Sequence, residues 1–455
     1  MKNFTKFFRD PDAIETGSSH NPLIQAERIT IIDSVRGIAL LGILLMNMPY
    51  FSMAIQIGDN LMIRNEFSGP NYYTWWIVNG FFEGTMRGLF SMLFGAGSIL
   101  LLNRLEKKSG SVSAADVYYR RLIWLLIFGI INAFVFLWPG DILYSYAICG
   151  LLLFPFRNLT PKALLLFGLA FMLVSGFKET LQMYDAKKMR VKGEAAIALE
   201  AKKVKLTEEQ QEDKKKWEGR QERNKIENIR KEVDKSNKDM RKGYFAIMSN
   251  YKDLNQEIQS KVFYHFYFWD VMTFFLIGMA FFKWGILTGE RSSRFYWTLI
   301  LIGYPLGLLL NYWQLRTTVD VKFDRTLMAD KLYVSFYQVR RLLLVMGHIG
   351  VVMLVYKHHL ADWLLKALSR VGQMAFSNYL MQSIFCVFIF YGFGLRWFGA
   401  LERYQIYFVV FGIWIFQIIF SNIWLKYFRF GPFEWVWRSL TYWKKQPMKR
   451  VLFEN

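Results

Sequence analysis

The chain is poor in the residues that build most catalytic and metal centres. Two cysteines among 455 residues offer neither a disulfide framework nor a thiolate metal site. Cys149 and Cys386 both fall within long apolar runs, where a free thiol packs as a small hydrophobe. The five histidines include no pair at metal-ligand spacing, so no metal is expected. His265 and His348 read as ordinary hydrogen-bonded side chains. There is no P-loop, no GxGxxG after a strand and no GxSxG, which excludes the common nucleotide-binding and serine-hydrolase signatures. The glycine-rich YGFGLRWFG at 391–399 lies at the end of an apolar run and does not read as a phosphate loop. Residues 1–28 are polar and lack a leader with an apolar core, so the first apolar run is expected to remain in the mature protein.

What the chain has is apolar length. Hydrophobic residues make up 53% and aromatic residues 18%, with 42 Phe, 24 Tyr and 16 Trp. Runs of roughly 17–25 apolar residues are membrane-span candidates. Ten are read, near 31–53, 76–102, 121–137, 141–156, 162–180, 265–285, 295–314, 332–356, 372–394 and 404–425. The fold class is therefore all-α, a polytopic membrane protein with about ten transmembrane helices. The net charge of +21 could point to nucleic acid. The better reading is basic membrane edges, because Lys and Arg concentrate in alternate connecting segments. That asymmetry places the N-terminus and the C-terminus in the cytoplasm.

The predicted organisation has five parts: a cytoplasmic segment at 1–30, five spans at 31–180, a charged insert at 181–264, five spans at 265–425 and a basic cytoplasmic tail at 426–455. The insert is rich in both charges and free of Pro between 185 and 242, which reads as solvated helix. Ile226, Ile229 and Val233 make a thin apolar stripe suited to a helical hairpin. On this topology the insert is extracytoplasmic. It is either a solvated appendage or a lid over the outer face.

Charged groups within a bilayer are costly and usually face a cavity or a partner. In IIDSVRGIALLGILLMN at 31–47, Asp33 and Arg36 are three apart and share one face, so they can pair. Gly37 follows and admits another backbone. Asn47 lies roughly 21 Å further along at ~1.5 Å per residue. Glu83 and Arg87 are four apart and can also pair, and Gly80, Gly84 and Gly88 form a small-residue stripe for packing within one subunit or between two copies in a homodimer. Asp141 follows the Trp138-Pro139-Gly140 turn. It either caps the next helix or joins Asn47 and Glu83 in an outward-facing polar site. At the other membrane face Arg120, Arg121, His348, Asn378, Gln382, Arg429 and Arg438 accompany Asp33 and Arg36. Part of this set anchors the interface; together they could form a basic cavity suited to phosphates.

Several segments together resemble the YeiB-like family of bacterial multi-spanning membrane proteins, a domain of unknown function. They are IIDSVRGIALLGILLMN at 31–47, MRGLFSMLFGAG at 86–97, WPGDILYSYA at 138–147, VGQMAFSNYLMQSIFCVFIFYGFG at 371–394 and FRFGPFEWVWRSLTYW at 428–443. The resemblance implies residence in a bacterial inner membrane. One departure is Asn132, which stands where members of that family often carry histidine. More widely, Asp33-x-x-Arg36-Gly37 followed by Asn47 is similar to the first span of heparan-α-glucosaminide acetyltransferase-type enzymes. That resemblance implies transfer of an acyl group from cytoplasmic acyl-CoA to an acceptor across the membrane, with the Asn working beside a histidine in the following outer loop. No histidine occurs in that loop here.

Three functions remain open at this point. As an acyltransferase, the chain would bind acyl-CoA phosphates through Arg36, Arg120 and Arg121, with Arg87, His348, Asn378 and Gln382 completing the substrate sites. Asn47 would stabilise the reacting carbonyl oxygen, and Glu83 or Asp141 would take the proton of a glycan, lipid or small-amine acceptor. As a transporter or flippase, the same charges would line a path for a lipid or small anion. As a scaffold, the insert would bind a partner. Membrane lipid is the one partner common to all three.

Overall fold

The structure is a computed structural model that describes residues 30–58 and 60–450. The predicted N-terminal segment therefore lies outside the described residues, apart from Thr30. The described chain is helical, with no strand beyond one isolated bridge between Phe428 and Lys449. Eight helices are long and apolar enough to cross a membrane: Thr30–Ser52, Gly69–Lys107, Ser113–Phe134, Pro161–Ala201, Tyr244–Lys283, Ser293–Asp320, Tyr337–Lys357 and Ile406–Tyr427. The pair Asp362–Gln373 and Ala375–Phe390, bent by 78° at Met374, is together apolar and long enough for a broken span or a re-entrant loop. The protein is thus a polytopic helical membrane protein.

The predicted span at 141–156 takes a different form. It is a nine-residue helix, Leu143–Leu151, followed by the 3-10 turn Phe154–Asn158. Pro155 and the Pro139-Gly140 turn limit its length. Its backbone ends are satisfied inside the bundle: Asp141 accepts from the Tyr144 N–H at 2.9 Å, and the Tyr118 hydroxyl donates to the Gly150 carbonyl at 2.8 Å. A short helix is tolerated at membrane depth where protein surrounds it.

Thr85–Phe134 is helical for 50 residues, which as a straight rod would measure about 75 Å, far beyond a ~30 Å hydrocarbon core. Instead the chain turns back, since Leu101 and Leu105 pack with Ala114 and Val117. The first span crosses the broken helix at two glycines. A Cβ on Gly37 would run into the Leu368 carbonyl oxygen, and one on Gly372 would run into the Asp33 carbonyl oxygen. The two backbones touch there, as expected for Gly37, and no larger residue fits.

Connections alternate between two ends of the bundle. At one end Arg403 binds Glu66 at 2.7 Å, the Gly392 N–H donates to the Met240 carbonyl at 2.8 Å, and Lys187 pairs with Asp330 at 2.9 Å. At the other, Arg157 pairs with Glu106 at 2.7 Å, Lys283 donates to the Arg157 and Leu159 carbonyls, and Trp437 donates to the Arg121 carbonyl at 2.9 Å.

The charged insert is helical and folds onto the first of these ends. Helix Pro161–Ala201 continues the span through residue 181 without a break. Glu208–Asn224 returns along it behind a Thr207–Gln210 capping box. Lys192 pairs with Glu209 at 2.8 Å, and Trp217 covers Gly193. In the next helix, Ile226–Met240, the predicted stripe is used in part: Val233 is buried and Ile229 packs on the core, while Ile226 is exposed.

Candidate functional site

A cavity of about 1640 Å³ opens within the bundle at the end that the insert covers. Asn47, Glu83, Arg87 and Asp141 all line it, as do Met240 at the end of the insert helix Ile226–Met240 and Tyr251 in Tyr244–Lys283. Four residues from three widely separated stretches of sequence are thereby brought to one chamber. It exceeds the ~300–1,000 Å³ of an ordinary small-molecule pocket.

Asn47 reaches it because the first span runs unbroken from Asp33 to the cavity level. The Asn47 amide makes no hydrogen bond to any described residue and is half-buried. It is a polar group held ready on a rigid element.

Glu83 does not pair with Arg87 as helical spacing predicts. The chain passes from α-helix into a π-turn at Val78–Phe82, and Gly84 then takes φ +69°. The i,i+4 geometry does not exist across that break. Instead Glu83 accepts from Arg340 at 2.6 Å and from the Tyr337 hydroxyl at 2.9 Å. Arg87 turns to Asp270 at 3.1 Å, and Asp270 also binds the fully buried Arg341. Arg341 in turn donates to the Gly84 carbonyl at 2.9 Å and lies against Gly84, where a Cβ would meet its Nε at 2.5 Å. The break is thus fixed by the arginine that it receives. The same break dissolves the glycine stripe. Gly84 faces Arg341, Gly88 faces Phe274, and a Cβ on Gly80 would meet no atom within 4 Å, so the three share no common face for a homodimer.

Asp141 does both things its position suggests. It accepts from the Tyr144 N–H, as a helix cap does, and it lines the cavity. Its other oxygen accepts from Asn132 at 2.8 Å and from the Tyr379 hydroxyl at 3.4 Å. Among the described residues no cation pairs with it. Glu83 and Asp270 are each neutralised by arginine; Asp141 is held only by neutral donors.

The opposite end is less compact than the sequence suggests. Asp33 and Arg36 pair at 2.6 Å. Arg121 lies over the Trp437 ring at 3.8 Å, within electrostatic reach of Arg36 and Glu434. Arg120 points elsewhere, onto Asp116 at 2.6 Å and over Trp443. Glu434 accepts from the Phe376 and Ser377 N–H groups at 2.8 and 3.0 Å, capping the second half of the broken helix. Burial raises its proton affinity against those hydrogen bonds.

Three predicted residues are not part of a basic cavity at this end. His348 uses both ring nitrogens, with the Tyr304 hydroxyl at 2.8 Å and the Phe81 carbonyl at 3.0 Å, because its helix faces Ser293–Asp320 and the Phe81 turn. Asn378 donates to the Val371 carbonyl and Ser421, and Gln382 donates to Gln417 at 3.1 Å. These two lace the broken helix to the last span, satisfying the backbone that the break frees.

Sequence spacing does not reveal Asp270, Tyr337, Arg340 and Arg341 as members of the site. A signal exists, since all four fall within predicted spans, where charge is costly. Their partners are 71 to 257 residues away, beyond the reach of any local pattern. Among the described residues no group of three or more His, Cys, Asp or Glu stands where it could hold a metal ion.

Comparison with known proteins finds similarity over much of the chain. Residues 281–444 match a family model described as "Protein of unknown function (DUF418)". The chain is 29% identical over 439 residues to "Uncharacterized protein YxaH" of Bacillus subtilis (strain 168), covering 95% of this chain and 99% of that protein. It is 28% identical over 426 residues to "Uncharacterized protein YeiB" of Escherichia coli (strain K12), covering 91% and 96% respectively. No solved structure matches the chain.

Proposed function

We propose that the chain, which is similar to the YeiB-like DUF418 proteins, is a transmembrane acyltransferase, passing an acyl group from cytoplasmic acyl-CoA to an extracytoplasmic glycan, lipid or small amine. One observation carries the reading. A single helix bears the Asp33–Arg36 pair at one end and, at the other, an Asn47 with no hydrogen-bond partner among the described residues, facing a large chamber that also holds Asp141. Donor phosphates would lie at Arg36 and Arg121, with the pantetheine arm along the first two spans and the thioester in the chamber. In the chamber an acceptor hydroxyl or amine attacks the thioester carbonyl. Its proton passes to Asp141, Asn47 donates to the developing oxyanion, and the thiolate of CoA leaves as the tetrahedral intermediate collapses. Glu83, locked by Arg340 and Tyr337, shapes the wall rather than accepting the proton.

Calorimetry with acetyl-CoA and a longer acyl-CoA tests the donor half. The expected result is binding near the micromolar range, about −8 kcal/mol, that Arg36→Ala removes. Folded protein that binds neither compound in detergent or in lipid excludes the donor site. That outcome favours the second reading, a transporter or flippase for a lipid or small anion, for which the 78° break at Met374 is the structural motive.

The orientation that goes with this function puts both termini in the cytoplasm of a bacterial cell and the insert outside. A cysteine at Gln210, on the exposed insert helix Glu208–Asn224, should then react with an impermeant maleimide on intact spheroplasts. Labelling only after the membrane is opened would reverse the topology.

A further inference from the structure

The chamber is acidic. Among the described residues six carboxylates line it against four arginines, and no lysine does. Glu83 is answered by Arg340, and Asp270 by Arg87 and by Arg341, which does not itself reach the chamber. Asp141 and Glu179 are answered by no cation among the described residues. Asp141 is held by Asn132, Tyr379 and the Tyr144 N–H, and Glu179 by Gln338 at 2.9 Å and Ser335 at 2.8 Å. A carboxylate taken out of water and given only neutral donors is costly as an anion, so an incoming positive charge is favoured beside it.

Four residues beyond Asp141 stands a feature independent of charge. Ser145 lies in the first turn of the helix that Asp141 caps, lines the chamber and is 6% exposed. A helical serine can fold back onto the carbonyl one turn earlier, as Ser91 does onto Arg87 at 2.9 Å. Ser145 does not. Its hydroxyl makes no hydrogen bond to any described residue and, unlike the unpartnered Nη1 of Arg340, is not sealed within the packing. It is open to the chamber, and a polar group so buried is normally bonded.

We propose that the chamber binds a primary ammonium group on the Asp141 carboxylate and the Ser145 hydroxyl, so that the molecule occupying it is an amine. An ammonium brings one positive charge and three donors, which suits a carboxylate without a cation beside a hydroxyl oxygen without a donor. An anion would meet Asp141 and Glu179 with nothing to offset them. Tyr50, Trp138 and Tyr267 line the same space, and aromatic faces attract cations. This rests on the chamber being the acceptor's, and it selects the amine from the acceptors named above, whether that amine is soluble or the headgroup of a membrane lipid.

The test is native mass spectrometry of the delipidated full-length protein, with acyl-CoA absent. Four probes form two matched pairs: ethanolamine against ethylene glycol, and oleylamine against oleyl alcohol. An amine should bind, and its alcohol partner should bind at least about tenfold more weakly. Binding of ethanolamine would show that the headgroup suffices; binding of oleylamine alone would make the membrane the source. The net charge of +21 disfavours cations elsewhere on the protein, so a retained amine marks the chamber. Ser145→Ala removes a hydroxyl that bonds nothing in the protein and should weaken the amine about tenfold while leaving the alcohol unchanged. Asp141→Asn should weaken the amine at least as much. Equal binding of amine and alcohol in both pairs, or binding of neither amine, overturns the proposal without any variant. So does amine affinity within about twofold of wild type in either variant. Because no acyl-CoA enters the experiment, either result leaves the donor site at Arg36 to be judged by its own titration.

Discussion

Asp270→Asn is expected to destabilise the protein by about 3–5 kcal/mol, the cost of breaking a buried ion pair from one side. Asp270 is 4% exposed and serves two guanidiniums, those of Arg341 and Arg87. Arg341 is fully buried. Without the carboxylate's charge it keeps only neutral acceptors, the Gly84 carbonyl, the Gln338 amide oxygen and the amide oxygen of the new asparagine. None of these compensates a full charge taken out of water. Denaturation in detergent, followed by helical circular dichroism, measures the loss. The companion variant Asp116→Asn sets the scale. Its carboxylate is 62% exposed and pairs with Arg120, so its removal should cost no more than about 1 kcal/mol. Adding Arg341→Met to Asp270→Asn should recover part of the stability, because the orphaned charge is then gone. A loss of less than about 1 kcal/mol for Asp270→Asn would mean that Arg341 is not held by this carboxylate.

Asp141→Asn should lower acyl transfer by about 10²–10⁴-fold, the usual contribution of a general base, while leaving the fold in place. Asparagine retains an oxygen for the Tyr144 N–H, so the cap on the short helix survives. What it loses is the ability to take a proton, together with the second oxygen that accepts from Asn132 and Tyr379. Glu83→Gln should behave in the opposite way. It breaks the pair with Arg340 and should reduce stability more than it reduces transfer per folded molecule. Both are read by transfer of radiolabel from acetyl-CoA to envelope acceptors in proteoliposomes, normalised to folded protein. Full transfer by Asp141→Asn would remove this residue from the mechanism. A loss confined to Glu83→Gln, with its stability unchanged, would move the base to Glu83.

The contrast between these two carboxylates shows where sequence reading stops. Both are legible as acids near one membrane face, and both do line the chamber. Nothing in the local sequence separates them. Glu83 finds its cation 257 residues away, on the helix Tyr337–Lys357, while Asp141 finds only Asn132, Tyr379 and its own helix. The expected Glu83–Arg87 pair fails for a related reason. Spacing rules presume a continuous helix, and the π-turn with Gly84 at φ +69° interrupts it. Depth alone groups His348, Asn378 and Gln382 with Arg36. Depth says how far along a span a residue lies and nothing of which neighbour it faces.

By itself the sequence determined that the chain is a bundle of membrane helices with a charged helical insert. Apolar length and charge pattern are local properties, and the bilayer admits few other answers. It also determined that Asp33 meets Arg36, because three residues of unbroken helix bring them to one face. Only the tertiary structure decided that Asn47, Glu83, Arg87 and Asp141 share one chamber and that insert helices lie over it. Only it decided which arginine answers which carboxylate. Those pairings depend on how separate helices pack, and burial makes them selective: once water is excluded, each charge must find its partner wherever the fold brings one.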